Sequence, residues 1–570
     1  MTGNAAGGKP TRVRAAASAD QIRADLVAGL TVTLVGLPQC LAYALMSGLP
    51  PAYGLSTAAV AGFVAAVAGL SPHVVTGPTN TTGLLILGAL GPYLGASGLL
   101  ERDGLPVLAT LTVMAGFLRL ALAYLGGAQL LRYLPESVLA GFTAGAGVLI
   151  GVMQLDEALG FEPFRGGGLW SQVVGFTERL TEGTLPSLAG LGFAAATVAA
   201  ILVGKRLRTR LPIALFAIVV GAAAGWALEA SGLELLLVED RAAVPSGWPP
   251  GALPSMDPGL VLELTLPALA IVLLGTLELT VSARADGARP DMGREIAAQG
   301  WGNVVGAFAS GFPASASLTR SALLRLGGAR TRLAAASAAV MVVPILLFAG
   351  GAVGYIPQAS LAGVLLVTAT GMLDGRRLRR IWKVSRASRV LMLLTFVGTL
   401  VLPLEQAILL GSGLALLIHI GGSVEPHLQW LKLEDGELVA LGPDEDAPAS
   451  VVAEVSGTMY YAAAPALLDR IARELPEGVT QLVVDVSHAH QLRFAALEGF
   501  ERLQGELAAR GVDLVLAGVS PPFARALAKG RSQLVFVPRL ATPGRSARRA
   551  LGGLGRTQDV APGATPDAGG

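Results

Sequence analysis

Two apolar stretches of the chain are interrupted by glycine and proline at matching places in its two halves. The first break reads Thr76-Gly77-Pro78-Thr79-Asn80-Thr81-Thr82. The second reads Ser310-Gly311-Phe312-Pro313-Ala314-Ser315-Ala316-Ser317-Leu318-Thr319-Arg320-Ser321, and a short helical run follows each. Non-helical backbone is tolerated at bilayer depth only when it is buried in protein or lines a water-filled cavity. Paired short, interrupted segments are therefore the sequence mark of a midplane binding site in transporters built from inverted repeats. A helix that starts inside the bilayer aims unpaired N–H groups and a partial positive charge at that site, which suits an anion.

The rest of the chain is built for lipid. Of its 570 residues 52% are hydrophobic and only 14% charged, too apolar for an ordinary soluble protein. Candidate spans fall near 26–47, 54–70, 79–93, 105–126, 137–154, 185–204, 211–228, 260–283, 294–309, 318–326, 333–352, 357–373, 388–403 and 405–422, fourteen in all. A helix needs roughly 20 residues to cross the hydrocarbon core, so the third and tenth are too short to cross alone. Glycine (74 residues) and alanine are abundant, and small residues let membrane helices pack closely. The expectation is a polytopic α-helical membrane protein.

Charge orders these spans. Lys9, Arg12, Arg14 and Arg23 lie in an N-terminal segment, 1–24, that has no signal-peptide cleavage pattern and reads as a cytoplasmic tail. With that end inside, the loops near 127–136, 205–210, 284–294, 325–332 and 374–389 are cytoplasmic. The last holds Arg376, Arg377, Arg379, Arg380, Lys383, Arg386 and Arg389. Opposite loops carry Arg102, Arg165, Arg179 and Arg241 among acids such as Asp156, Glu157, Glu162, Glu239 and Asp240. This asymmetry follows the positive-inside rule and places both termini in the cytoplasm of a plasma or inner membrane. The basic arm reads as a solvated tail, not a nucleic-acid contact. The one cysteine, Cys40, allows no intrachain disulfide.

After the membrane region, 25–423, the pattern changes. Strand-like runs near 451–455, 481–486, 512–517 and 533–537 alternate with amphipathic stretches near 464–474, 493–509 and 521–529. Strand and helix in alternation indicate a small α/β domain over 436–541 with a largely parallel sheet. Residues 542–570 read as a disordered tail.

The first span contains Leu37-Pro38-Gln39-Cys40-Leu41-Ala42-Tyr43-Ala44 and continues through Gly48-Leu49-Pro50-Pro51-Ala52-Tyr53-Gly54-Leu55. Pro38 removes a backbone hydrogen bond, and Gln39 puts an amide at membrane depth, which serves either a site or a kinked helix. This string resembles the signature of the sulfate permease (SulP, solute carrier family 26) anion transporters. Three further features agree: Glu295-Ile296-Ala297-Ala298-Gln299-Gly300-x-x-Asn303, Ala316-Ser317-Leu318-Thr319-Arg320-Ser321, and a C-terminal domain similar to STAS domains. The resemblance covers roughly residues 20–540. It implies two inverted seven-segment repeats forming a core and a gate domain, and a homodimer that moves its anion by an elevator-like shift of core against gate.

Position by position, the resemblance implies that Gln39 and Tyr43 line the anion pocket. Thr79, Asn80 and Thr81 open the third helix, and Ser317, Leu318, Thr319 and Arg320 open the tenth, where amides and side chains meet the anion. Thr319 stands where many members carry serine. Arg320 is expected to supply positive field more than direct contact. Glu278 is the carboxylate inside a span, and Ser282 lies four residues on, on the same helical face. The pair could take Na⁺, Glu278 could carry a coupled proton, or the carboxylate could tie core to gate.

No other cofactor is expected. His488 and His490 lack nearby cysteines and read as loop residues, not a metal site. In related anti-sigma-factor antagonists a phosphorylatable serine follows an aspartate after the second strand, but His490–Ala496 holds no hydroxyl. No P-loop, nucleotide fingerprint or nucleophile–base arrangement is present, so neither an ATP-driven pump nor an enzyme is supported. The reading is a secondary active transporter or exchanger of a small anion: sulfate, bicarbonate, a dicarboxylate or chloride. Its alternatives are a nucleobase carrier of the same fold, or an anion-responsive sensor or scaffold in which the STAS-like domain engages a cytoplasmic protein.

Overall fold

The structure is a computed structural model. It describes every residue except 1–17, 96, 127–135, 162–168, 183–184, 208–211, 231–234, 242–246, 285–289, 424–426, 443–444, 460–462, 491, 493, 531, 541–544 and 553–570. Lys9, Arg12, Arg14, Glu162, Arg165 and most of the expected basic loops at 127–136 and 284–294 lie outside the described residues. The chain divides into two compact units, Met1–Leu416 and Leu417–Gly570.

The first unit is helical. It opens with α1 (Ala19–Met46), α2 (Pro51–Ala68), a two-residue strand β1 (Thr76–Gly77), α3 (Asn80–Leu90), α4 (Leu105–Tyr124) and α5 (Glu136–Ala158). There follow α6 (Leu169–Thr181), α7 (Leu188–Arg206), α8 (Ile213–Ala230), α9 (Val238–Arg241), α10 (Pro258–Glu263) and α11 (Thr265–Ala283). The second half continues with α12 (Met292–Phe308), β2 (Ser315–Ala316), α13 (Leu318–Leu326), α14 (Leu333–Phe348), α15 (Gly350–Gly354), α16 (Gln358–Met372), α17 (Gly375–Val384), α18 (Arg386–Val401) and α19 (Leu404–Ser423). Among the described residues six of these helices are long and apolar enough to cross a membrane.

Local chemistry explains the joints. Ser18 and Gln21 form a capping box that starts α1. Gly48 takes φ 74°, and Pro51 then occupies the first position of α2, where its missing N–H costs no bond. Gly54 lets α2 lie directly on the Cys40 carbonyl of α1, since a β-carbon there would collide with it. Gly116 does the same between α4 and α12, where an added β-carbon would stand 3.0 Å from the Gly300 carbonyl. Small residues thus bring α12 against α4 and α2, with α1, α14 and α11 in the same helix group. α5, α7, α16 and α18 form a second group, which α1 touches through α16.

Several expectations are corrected. The span expected over 260–283 is broken at Leu264 into α10 and α11, and the one over 333–352 ends at Phe348 before the short α15. α6 and α17 were not expected, because their polar faces hide them from a search for apolar runs. α17 carries the basic cluster that reads as a loop in sequence, with Asp374 capping it through the amides of Arg376 and Arg377. Asp156 and Glu157, expected in a loop, belong to the last turn of α5 and pair with Arg179 and Arg241 at 3.5 and 2.6 Å. Glu278 is not alone among buried acids: Asp25 accepts the amides of Arg330 and Thr331 at 2.7 and 3.2 Å.

The second unit is a six-stranded sheet in the order β4-β3-β5-β6-β7-β8. Here β5 (Ser450–Thr458), β6 (Gln481–His490), β7 (Asp513–Val519) and β8 (Val535–Pro538) run parallel, interleaved with α20 (Ala463–Glu474), α21 (Phe494–Ala508) and α22 (Pro521–Lys529). β3 (His427–Glu434) and β4 (Glu437–Ala440) add an antiparallel hairpin that sequence reading missed. The expected disordered tail is corrected over α23 (Arg545–Gly552), whose Ala547 and Ala550 are buried with Val452, Val483 and Val515. Residues 553–570 lie outside the described residues.

Candidate functional site

β1 and β2, one from each half, pair antiparallel through Thr76↔Ala316 and Gly77↔Ser315. Each leads at once into a helix. Thr79 caps α3 by accepting the Thr82 amide at 3.4 Å, and Ser317 caps α13 by accepting the Arg320 amide at 3.4 Å. Both matched breaks therefore meet in one place, with two helix starts beside a shared ladder.

The broken backbone is satisfied inside the protein, as lipid requires. Ser317 donates its amide to the Val75 carbonyl at 2.9 Å, and the Val75 amide donates to Ser321 Oγ at 3.0 Å. Thr57 Oγ1 accepts the Phe312 amide at 2.9 Å, and Ser56 Oγ donates to the Ser310 carbonyl at 2.7 Å. One face of α12 supplies the rest through residues four apart. Glu295 Oε1 accepts the amides of Leu70 and Ser71, both at 2.7 Å, and Gln299 Nε2 donates to Thr76 Oγ1 at 3.2 Å. Asn303 accepts the Ala314 amide at 2.7 Å and donates to its carbonyl at 3.3 Å. This gives the Glu295–Gln299–Asn303 spacing a physical reason.

Glu278 on α11 is buried at the start of α3. It accepts Thr79 Oγ1 at 3.3 Å and also the hydroxyls of Thr81 and Ser315. The side chains of Thr79 and Thr81 are thus engaged by a carboxylate, and Ser315, outside the expected set, joins them. Ser282 is buried one turn along α11, but its hydroxyl has no partner and does not join Glu278. Asn80 turns away, donating to Met372 Sδ of α16 at 2.8 Å.

The start of α13 is open instead. Leu318 is 39% exposed and Thr319 is exposed. Their amides, first in the helix, have no intrahelical acceptor. Ser317 Oγ lies 3.3 Å from Thr319 Oγ1. Behind them Arg320 is buried, with Nη2 on the Pro78 carbonyl at 2.5 Å and Nη1 on Cys40 Sγ at 3.4 Å. Gly77 makes room for that guanidinium, since an added β-carbon would sit 2.9 Å from Nη1. A 20 Å³ cavity beside Arg320, bordered by Thr33, Gly36, Cys40 and Thr76, holds at most a water and no polyatomic anion. On α1, Gln39 is half-buried with Oε1 unpaired, and Tyr43 is buried.

Arg119 of α4 was missed in the sequence. Fully buried, it donates Nη1 to Gln299 Oε1 and to the Ala314 carbonyl, both at 2.8 Å. Its signal was present: a lone arginine inside the apolar run Ala115–Ala123. Among the described residues no group of three or more His, Cys, Asp or Glu is gathered to hold a metal. His488 Nε2 lies 3.8 Å from Glu454 Oε1, while the side chain of His490, and the residues Gln491 and Arg493 beyond it, fall outside the described residues.

Comparison with known proteins follows the same lines. The profile of the sulfate permease family matches residues 22–395, and that of the STAS domain matches residues 444–540. A probable sulfate transporter of Mycobacterium tuberculosis is 28% identical over 515 residues, covering 87% of this chain and 89% of that protein. The chloroplastic sulfate transporter 4.1 of Arabidopsis thaliana is 26% identical over 533 residues, 87% of this chain and 75% of that one. In structure, murine Solute Carrier 26 family member A9, an anion transporter solved inward-facing, superposes with a TM-score of 0.81 at 18% identity, covering 95% and 93% of the two chains. The transmembrane domain of a cyanobacterium bicarbonate transporter, BicA, gives a TM-score of 0.60 at 24% identity over 69% of this chain and 98% of that one. The two structural likenesses show a shared fold.

Proposed function

Because the chain belongs to the sulfate permease family, a family of membrane anion transporters and not enzymes, we propose that it carries a small anion on the open N-terminus of α13. The observation that carries this reading is the exposure of Leu318 and Thr319, whose amides have no intrahelical acceptor and immediately precede the buried Arg320. Helix-start amides and a nearby guanidinium favour a negative ligand. Gln39 and Tyr43 of α1 complete the proposed pocket with Ser317 as the capping hydroxyl, while Asn80 turns to Met372 and would join it only on reorientation. At α3 the hydroxyls of Thr79 and Thr81 shield the anion from Glu278, so that helix contributes its dipole and amides. Glu278 is the carboxylate held against the start of α3, with Ser282 one turn away, and its charge is what any coupling cation would have to balance.

The substrate class is an inorganic or carboxylate anion: sulfate, bicarbonate, a dicarboxylate or chloride. The proposed carrier has fourteen segments in two inverted repeats, works as a homodimer with both termini in the cytoplasm, and shifts its core against its gate. The ladder between β1 and β2 supports that motion, because it fastens both helix starts into one body. Flux of radiolabelled sulfate, bicarbonate, fumarate and chloride into proteoliposomes tests the reading. Saturable uptake of at least one, lost in Thr319→Pro, is expected; binding without turnover would instead favour the sensor.

A further inference from the structure

Glu278 and Arg119 are two buried charges that flank residues 314–315, and among the described residues neither has an ion-pair partner in contact. Ser315 gives its hydroxyl to Glu278, while the preceding carbonyl, of Ala314, receives Arg119. The acceptors of Arg119 are neutral, and its Nε and Nη2 have no hydrogen-bond partner. Gly275, one turn before Glu278 on α11, is the gap into which Nη2 fits; an added β-carbon would collide with it and would stand 3.3 Å from Ser315 Cβ. A guanidinium is always protonated in a protein, so this charge cannot be shed. A lone buried charge is costly in a membrane, whereas two opposite charges at short range in a low dielectric offset each other.

We infer that Arg119 is the built-in counter-charge of Glu278, standing where a coupling cation would otherwise be needed, so that the cycle runs without Na⁺ or proton coupling at this carboxylate. The inference rests on the proposed transport reading for its role, and on the geometry around Ser315 for its substance. Three hydroxyls converge on the two oxygens of Glu278, an arrangement suited to an acceptor-only carboxylate. Arg119 acts on Glu278 electrostatically, and the phenol of Tyr43 feels the same carboxylate. With one positive charge already resident, an added Na⁺ meets repulsion and finds its oxygen ligands occupied.

Full-length protein carrying Arg119→Gln, Arg119→Lys or the pair Arg119→Gln/Glu278→Gln tests this. In proteoliposomes the unaltered protein moves labelled sulfate or chloride equally in Na⁺ and in K⁺, and Arg119→Lys does the same. Arg119→Gln loses flux about tenfold in K⁺ at pH 8 and regains it with Na⁺ or at pH 5.5, because Glu278 must now recruit a cation. Melting of the purified protein gives a readout that needs no transport: NaCl in place of KCl raises the melting temperature of Arg119→Gln by roughly 2–4 °C and leaves the unaltered protein and the double variant unmoved. A Na⁺-dependent rise in the unaltered protein overturns the inference, as does an Arg119→Gln protein indifferent to both Na⁺ and pH. Should Arg119→Gln fail to insert, recovery of membrane yield in the double variant supports the pairing and equal failure overturns it. No flux of any anion in the unaltered protein would count against the transport reading, and the melting series would still decide the pairing.

Discussion

Pro78 and Ala314 each adjoin the last pair of the β1–β2 ladder, Gly77↔Ser315, and each gives its carbonyl to a guanidinium from the opposite half of the membrane unit. The Pro78 carbonyl receives Arg320 at 2.5 Å and the Ala314 carbonyl receives Arg119 at 2.8 Å. Pro78 has no N–H to offer, so the ladder stops there by chemistry. Each half of the membrane unit thus closes the broken backbone of the other, with a guanidinium as the stopper.

Replacing Arg320 separates its two roles. Arg320→Ala leaves the Pro78 carbonyl buried and unpaired, a cost of about 1–3 kcal/mol, and removes the positive field. Arg320→Lys restores charge but not the fork. Melting temperature is expected to fall in both, while sulfate or chloride flux recovers in the lysine variant alone. Equal flux in the two would remove the electrostatic role.

Thr319→Pro deletes one of the two amides offered at the start of α13. Proline is tolerated in a first helical turn, where that N–H has no intrahelical acceptor. A hydrogen bond to a charged ligand is worth about 1.5–3 kcal/mol, so anion affinity should drop roughly 10–100-fold with membrane yield kept. Normal uptake in a properly inserted variant sinks the assignment of α13.

Asn303→Ala orphans the buried amide of Ala314, while the carbonyl of the same residue keeps Arg119. One unpaired buried amide costs about 1–3 kcal/mol, and detergent-solubilised protein should melt a few degrees lower. Asn303→Asp keeps the acceptor for the Ala314 amide and is expected to fall between the two.

Gly54→Val drives a side chain into the Cys40 carbonyl, which belongs to backbone and cannot swing away. Loss of monodisperse protein in size-exclusion chromatography is expected, whereas Gly126→Ala, an exposed glycine with no neighbour within 4 Å, should elute normally despite its φ of 76°.

Much of this was legible in sequence because lipid leaves few options. Gly77-Pro78 and Gly311-Phe312-Pro313 broke apolar runs at matched places, and the structure brings those breaks together. Glu278 announced itself as a carboxylate in a span, but its three hydroxyl partners come from Thr79, Thr81 and Ser315, up to 199 residues away, and no periodicity encodes that meeting. Arg119 was legible as a lone arginine in an apolar run, but its partners Gln299 and Ala314, 180 and 195 positions downstream, were not. α17 escaped because a helix with one basic face looks like a loop to any search for apolar runs, and β3 and β4 because their faces are largely exposed.

Four residues make the ladder, and side chains on a strand alternate between faces. Inserting or deleting one residue ahead of Thr76 or Ser315 would turn Thr76 from Gln299 and Ser315 from Glu278, since a slip of one position exchanges the faces. The connecting segments on either side are therefore fixed in length as firmly as any side chain is fixed in identity. Substitution can tune this carrier, but a change of a single residue in chain length at either break would disassemble it.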